Sequence, residues 1–356
     1  MLSKENKYAL GWQHSYGGSF KINIRKPSKE EMAGLIKSLL AVSDRYDRRR
    51  GLSLLHNPIY LTPLQKALQN ESDDGQIEAL LAGIGSILTV ESTEHLIKLT
   101  ADERMAVRVY ALQNLFQRMP PKPIPGRPAG DRIPDWKRHE IESAWDESLR
   151  PQLPGILKKS LTSESLQEIA AAANCAALLG DPKMMPLLAK AAERVAPNIP
   201  VAEQNAQVVN QLAGAAYSLH DYGHEPIEAD EHSSPGKLAV WASSVLRRKE
   251  FHTERWENLL LNMMNSDCAL TQYHAIRWLP EDFSKSEQVP WKKLLSAEDR
   301  QVWWYALQAA RRRLPQGLES IATEVLNQTK DHSKQQDLKE LLKETRERRN
   351  KGATRS

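Results

Sequence analysis

Cysteine is scarce in this chain of 356 residues: Cys175 and Cys268 are the only two. Both sit inside apolar helical patterns, so they read as buried small hydrophobes rather than as a disulfide or a metal pair. Long hydrophobic runs are missing as well. No stretch approaches the ~18 apolar residues a membrane span needs. The first residues, MLSKENKYALGWQHSYGG, have no apolar h-region, so a cytoplasmic location and no membrane partner are expected. Catalytic signatures are absent too: there is no glycine-rich phosphate loop, G-x-S-x-G elbow, C-x-x-C pair or H-E-x-x-H. These gaps disfavour an enzyme, and no cofactor is expected.

Charged residues at 26% and apolar ones at 40% are typical of a folded domain. The length exceeds one ordinary compact core, which leaves two domains or an extended repeat array. The net charge of +4 has an address. Residues 327–356 hold nine Lys/Arg and five Asp/Glu, so the remaining chain is neutral. A neutral body argues against a protein whose whole surface tracks nucleic acid.

The stretch Ser165 to Val195, SLQEIAAAANCAALLGDPKMMPLLAKAAERV, sets the pattern for the rest. Ile169, Ala172, Ala173, Ala176, Ala177 and Leu179 follow a helical period that stops at Gly180-Asp181-Pro182. Gly180 suits the left-handed end of one helix, Asp181 the cap of the next, and Pro182 its first turn. Together they predict an antiparallel helix hairpin.

The chain divides as follows. Residues 1–27 are irregular, with an alternating piece, Phe20 to Ile24, that fits one short strand or an extended lead-in. Residues 28–119 read as helical repeats, opened by Ser28 and Glu31 as a capping box before Met32, Leu35, Ile36, Leu39 and Leu40. Asp44–Arg50, DRYDRRR, reads as a solvated face, with a basic partner site as the sharper option. Asp73-Asp74-Gly75 reads as a loop ahead of a helix from Ile77 to Leu88. Residues 120–155 hold eight of the twenty prolines and read as a proline-rich insertion followed by a weaker helix, Trp136–Leu149. Helical repeats resume over 156–336. Residues 337–356 form a charged terminal helix with one apolar stripe, Leu338, Leu341 and Leu342, and a basic tail.

Internal similarity supports a repeat. Tyr110–Pro120, YALQNLFQRMP, and Tyr305–Pro315, YALQAARRRLP, coincide at six of eleven positions. Each follows a leucine and an acidic pair, Leu99 with Asp102-Glu103 and Leu295 with Glu298-Asp299. Asp102 and Asp299 are expected to cap the helices that follow. A third version runs from Tyr273 to Pro280, YHAIRWLP. In stacked hairpins each pair of helices buries its apolar face only against its neighbours. On these residues the chain resembles the HEAT-repeat family and its phycobilin-lyase-like relatives, best at Asp102–Leu115, Ala171–Ala192 and Asp299–Leu326. The likeness loosely covers roughly two-thirds of the chain. It implies an all-α fold: an α-solenoid of antiparallel helix hairpins with the proline-rich insertion, in about six to eight rungs. Armadillo-like arrays are the neighbouring alternative.

Two polar constellations interrupt the repeat. His220, His224, Glu225 and His232 lie in an acidic stretch where two histidines four apart can share a metal. Gly223, Pro226 and Ser233-Ser234-Pro235-Gly236 mark most of it as loop, which favours a solvated connection. Deoxyhypusine hydroxylase, a HEAT-type protein, uses four His-Glu pairs for iron. This chain has two, His139-Glu140 and His224-Glu225, so that activity is not carried over. The second constellation is Arg300, Trp303, Arg311, Arg312 and Arg313, with Trp304 beside them. Arginine interleaved with tryptophan can stack bases or hold phosphates, as on the concave face of HEAT-like DNA glycosylases. Helical spacing instead places Trp304 with Leu307 and Ala310 in the core and the arginines toward solvent.

The expectation is therefore a non-catalytic HEAT-like scaffold that binds a protein or peptide along one face. A nucleic-acid-binding solenoid is the first alternative and a metal-dependent enzyme on the same scaffold the second.

Overall fold

A computed structural model describes residues 27–124, 142–223, 227–245, 253–280 and 283–353. Phe20–Ile24, most of the proline-rich insertion with His139-Glu140, and His224-Glu225 lie outside them. Among the described residues the regular structure is helical, with no strand, and no helix is long and apolar enough to cross a membrane. The chain folds as two compact units, residues 1–180 and 181–356.

The first unit opens with α1 (Lys29–Leu40). Its capping box is formed: Ser28 Oγ accepts from the Glu31 N–H at 3.2 Å, and Glu31 accepts from the Ser28 N–H at 2.6 Å. Then follow α2 (Arg45–Ser53), α3 (Leu61–Gln69), α4 (Asp74–Ser86), α5 (Val90–Leu99) and α6 (Met105–Arg118). A 3-10 turn over Glu147–Gln152 leads into α7 (Leu153–Leu161) and α8 (Leu166–Leu179). Alternate helices form one row, with α2 on α4, α4 on α6 and α6 on α8. The others flank it: α1 packs on α2 and α3, α3 on α4, α5 on α6 and α7 on α8. Ala171, Ala172, Ala173 and Ala176 line the buried side of α8. Small side chains there allow close approach of helices.

Two local readings change. Asp73 is a helix cap, its side chain accepting from the Gln76 N–H at 2.8 Å, so Asp74 and Gly75 belong to the first turn of α4. Asp102 does not cap α6 through its first-turn amides. It grips Arg104, accepting from its Nε at 2.9 Å and from a terminal nitrogen at 2.8 Å. The same guanidinium reaches the carbonyls of Leu68 and Glu71, both at 2.8 Å, tying this corner to the end of α3.

Gly180 ends α8 in the left-handed region at φ 62°, where a side chain would cost about 1 kcal/mol. Asp181 caps a 3-10 turn, Pro182–Met184, that runs into α9 (Met185–Val195). The boundary between units falls between Gly180 and Asp181. The stretch read from sequence as one hairpin thus gives α8 to the first unit and α9 to the second.

The second unit continues with α10 (Glu203–Leu219), α11 (Pro235–Val245), α12 (Glu254–Asn265), α13 (Ala269–Arg277) and α14 (Trp291–Leu295). It ends with α15 (Arg300–Arg313), α16 (Leu318–Gln328) and α17 (His332–Ala353). A row again links alternate helices, α11 on α13, α13 on α15 and α15 on α17. Helices α9 and α10 cover α11, α12 covers α13, α14 covers α15, and α16 packs on α14 and α17. Leu338, Leu341 and Leu342 seat α17, as its stripe predicts, although the helix starts five residues earlier, at His332.

At Gly236 in α11 two helix backbones meet closely. A Cβ there would lie 1.9 Å from the carbonyl oxygen of Ala192 in α9, and the Gly236 N–H donates to the Ala196 carbonyl at 3.1 Å. Backbone cannot yield as a side chain does. Gly236→Ala is therefore expected to cost about 2–3 kcal/mol, measured by urea unfolding of the full chain. A loss below half of that would show that α9 and α11 slide apart without penalty.

Candidate functional site

Two adjoining clefts in the second unit, of about 380 and 520 Å³, share Asp267, Ala269 and Asp299 in their walls. They form at the starts of helices. Glu203 and Ala206 come from the first turns of α10, Ala269 and Leu270 from α13, and Asp299 and Gln301 from the start of α15. Ile199, Pro200 and Val201, the lead-in to α10, supply an apolar side. Helix starts attract carboxylates because their unpaired N–H groups carry partial positive charge. Asp299 answers that need directly, its Oδ1 accepting from the Gln301 and Val302 N–H groups, each at 2.9 Å. Across both clefts Glu203, Asp267, Glu298 and Asp299 face one ammonium, Lys293, which donates to Asp267 at 2.8 Å. Lys293 holds the Asp267 carboxyl below its ordinary range.

Behind the cleft runs a buried polar relay. Asn210 of α10 lines the larger-walled side, and its Oδ1 lies 2.9 Å from His274 Nε2 of α13. The other ring nitrogen, Nδ1, is 3.5 Å from the hydroxyl of Ser243 in α11. His274 and Ser243 are 1% and 2% exposed, and burial pushes the imidazole down to about 3. The ring is therefore neutral. With Ser243 out of solvent reach, the relay orients groups and has no open nucleophile to offer.

Beside it stands an aromatic group around Arg277. The guanidinium lies over the rings of Trp278, Tyr273 and Tyr305, at 4.6, 5.5 and 5.6 Å from their centroids, and it donates to the Tyr273 hydroxyl. Tyr217 stacks on Trp278 at 4.4 Å, and Tyr273 meets Tyr305 edge-on at 5.4 Å. Tyr273 also lines the cleft, so this cluster stiffens one wall.

The constellations read from sequence fare differently. His224 and Glu225 lie outside the described residues, as does the side chain of His220. His232 is exposed, 3.7 Å from Glu231. Among the described residues no three His, Cys, Asp or Glu side chains gather as a metal site would require. In α15 the tryptophans exchange places. Trp303 is 3% exposed, with Lys334 Nζ 5.5 Å from its ring centre, whereas Trp304 is 46% exposed. A base cannot stack on Trp303, because the helix turns that ring inward with Val302, Ala306 and Leu307. Arg311 is held by Glu340 at 3.0 Å and Glu344 at 3.5 Å, and Arg313 donates to the Leu279 carbonyl at 3.2 Å. Arg300 and Arg312 remain exposed near opposite ends of the helix. The five residues do not make one open surface.

Asn210, Ser243 and His274 were not singled out from sequence, yet one signal pointed there. His274 follows the tyrosine of the repeated motif where the other two copies have Ala111 and Ala306, both fully buried. A histidine at a core alanine position must find partners.

No family model matches the chain, and no curated protein matches it.

Proposed function

We propose that the chain is a HEAT-like α-solenoid protein, a non-catalytic scaffold, and that the cleft at the starts of α10, α13 and α15 receives a peptide segment of a protein partner. The row of alternate helices in each unit supports the repeat reading. So does the position of the three related motifs, which fall on the row helices α6, α13 and α15. The observation that carries the binding reading is the cleft itself. It is open, apolar along Ile199–Val201 and Leu270, and hydrogen-bonding along Asn210 and Gln301, which suits an extended chain that must satisfy both kinds of group.

The test is selection of random displayed peptides on the full-length protein, followed by solution binding to Ile199→Arg, a change at an exposed rim residue. Selected peptides are expected to bind saturably and to lose about tenfold in affinity, roughly 1.4 kcal/mol, on the variant. Failure to enrich any peptide, or equal binding to both proteins, removes the reading.

A further inference from the structure

The relay behind the cleft has a direction. An amide oxygen only accepts, so the short contact of Asn210 Oδ1 with His274 requires the imidazole proton on Nε2. Nδ1 is then bare and takes the Ser243 hydroxyl as donor. Both partners are buried on helices packed against one another, α11 on α13, so the arrangement is fixed before any ligand arrives. With Oδ1 committed to His274, the amide Nδ2 of Asn210 is the group left for the cleft, and no protein acceptor meets it among the described residues. That amide offers two donors and no acceptor, which matches a peptide carbonyl.

The remaining walls specify charge. Four carboxylates against one ammonium repel phosphate and attract a cation. Trp304, half-exposed, stands one helical turn beyond Gln301 of the cleft wall and presents a ring to a passing ammonium or guanidinium.

We infer that the cleft selects an extended, cationic peptide segment, with Asn210, oriented by His274 and Ser243, donating to a backbone carbonyl while lysine or arginine side chains lie toward Glu203 and Asp299. This rests on the peptide-binding reading and narrows it to one ligand class. His274 and Ser243 act as positioning residues, since neither touches the ligand.

The experiment uses the full chain with two fluorescein-labelled decapeptides, alternating lysine–alanine and alternating glutamate–alanine, and a labelled DNA duplex. The lysine peptide is expected to bind at least about tenfold more tightly than the glutamate peptide, and to weaken as salt is raised. The Glu203→Gln, Asp299→Asn double variant keeps shape and the helix cap, because asparagine caps as aspartate does. It is expected to unfold like the parent and to bind the lysine peptide about tenfold more weakly. Side-chain 15N spectra are expected to show the His274 proton on Nε2 and, because Asn210 still accepts it, to keep it there in Ser243→Ala, which loosens the ring and weakens the peptide. Equal binding of both peptides, an unaffected double variant, a proton on Nδ1 in the parent, or displacement of the lysine peptide by the duplex each overturns the inference. If displayed peptides still bind at the cleft while the lysine peptide does not, the ligand class is wrong and the scaffold reading stands. If neither binds, both fall.

Discussion

Replacing Arg118 by methionine is expected to destabilise the first unit by about 3–5 kcal/mol. Arg118 is the last residue of α6, and only 1% of its surface is exposed. One terminal nitrogen donates to Ser92 Oγ at 2.7 Å and Thr93 Oγ1 at 3.1 Å. The other donates to the carbonyls of Ile84 and Ile87, each at 2.9 Å, and to that of Gly85. Those carbonyls are at the end of α4, where the helical ladder stops; the Ile87 and Thr89 N–H groups reach Ile84 and Ile87, and the guanidinium supplies the rest. Ser92 and Thr93 belong to α5, so one guanidinium ties three helices together. Burial alone pushes it down to about 10 from its ordinary 12.5, which leaves it charged at neutral pH. Methionine fills the space of the stem but takes the guanidinium from the Gly85 carbonyl and from the Ser92 and Thr93 hydroxyls. It also strips one bond each from the Ile84 and Ile87 carbonyls, which keep the Ile87 and Thr89 N–H groups, at about 1–3 kcal/mol for each buried group left short. Relief from burying the charge returns part of that, which is why the expected loss is below the simple total. Lysine should do little better, since one ammonium cannot span both clusters of acceptors. Hydrogen exchange at the α4 and α5 amides in the full chain is the measurement that reads this unit separately from the other. Exchange unchanged in Arg118→Met would mean that water takes over these carbonyls without cost.

Much of this architecture is readable from residues whose partners are close in sequence. The Ser28–Glu31 box, the Gly180 stop with the Asp181 start, and the apolar stripe of α17 all depend on bonds or faces within a few positions. The errors share an opposite origin. Gly75 suggested a loop because glycine weakens a helix interior, yet it lies in a first turn, where the helical penalty is small and Asp73 supplies the cap. Asp102 turned from a cap into the partner of Arg104, whose other bonds run to α3, more than thirty residues back. In α15 the spacing argument set the wrong ring inward: Trp303 shares its face with Ala306, Leu307 and Ala310, and Trp304 stands about 100° round the helix from it. The relay joins three helices through pairs 64 and 31 residues apart, Asn210 with His274 and Ser243 with His274. Periodicity says which face is buried and nothing about which polar groups meet there. The one legible trace was His274 at a core alanine position of the repeat.

That histidine should also set the acid limit of the second unit. Its ordinary value is 6.5, and burial, with a smaller contribution from the charge of Arg277, pushes it down to about 3 in the fold. Above pH ~6.5 the ring is neutral whether the chain is folded or not, and the full stability is present. Below that, the unfolded chain binds a proton that the folded chain excludes, so stability falls as pH falls, by about 1.4 kcal/mol per unit. The loss continues until the folded ring itself titrates near 3. By pH ~4.5 it reaches about 3 kcal/mol. The groups around the ring do not oppose this: Asn210 and Ser243 are uncharged, Tyr273 is held above its ordinary range by burial, and the charge of Arg277 adds to the lowering. Carboxylates lowered by arginine partners, such as Asp102 by Arg104 and Glu147 by Arg150, lose their contribution only in stronger acid. His95 is also lowered by burial, but it belongs to the first unit. Hydrogen exchange on α11 and α13, compared near neutral pH and near pH ~4.5, isolates the effect of His274. In His274→Gln, stability near neutral pH is expected to drop, because glutamine cannot bond both Asn210 and Ser243 as the ring does, but the slope with pH should nearly vanish. A variant that loses as much stability in acid as the parent would move the acid limit elsewhere and deny the ring its neutral, proton-excluding place in the relay.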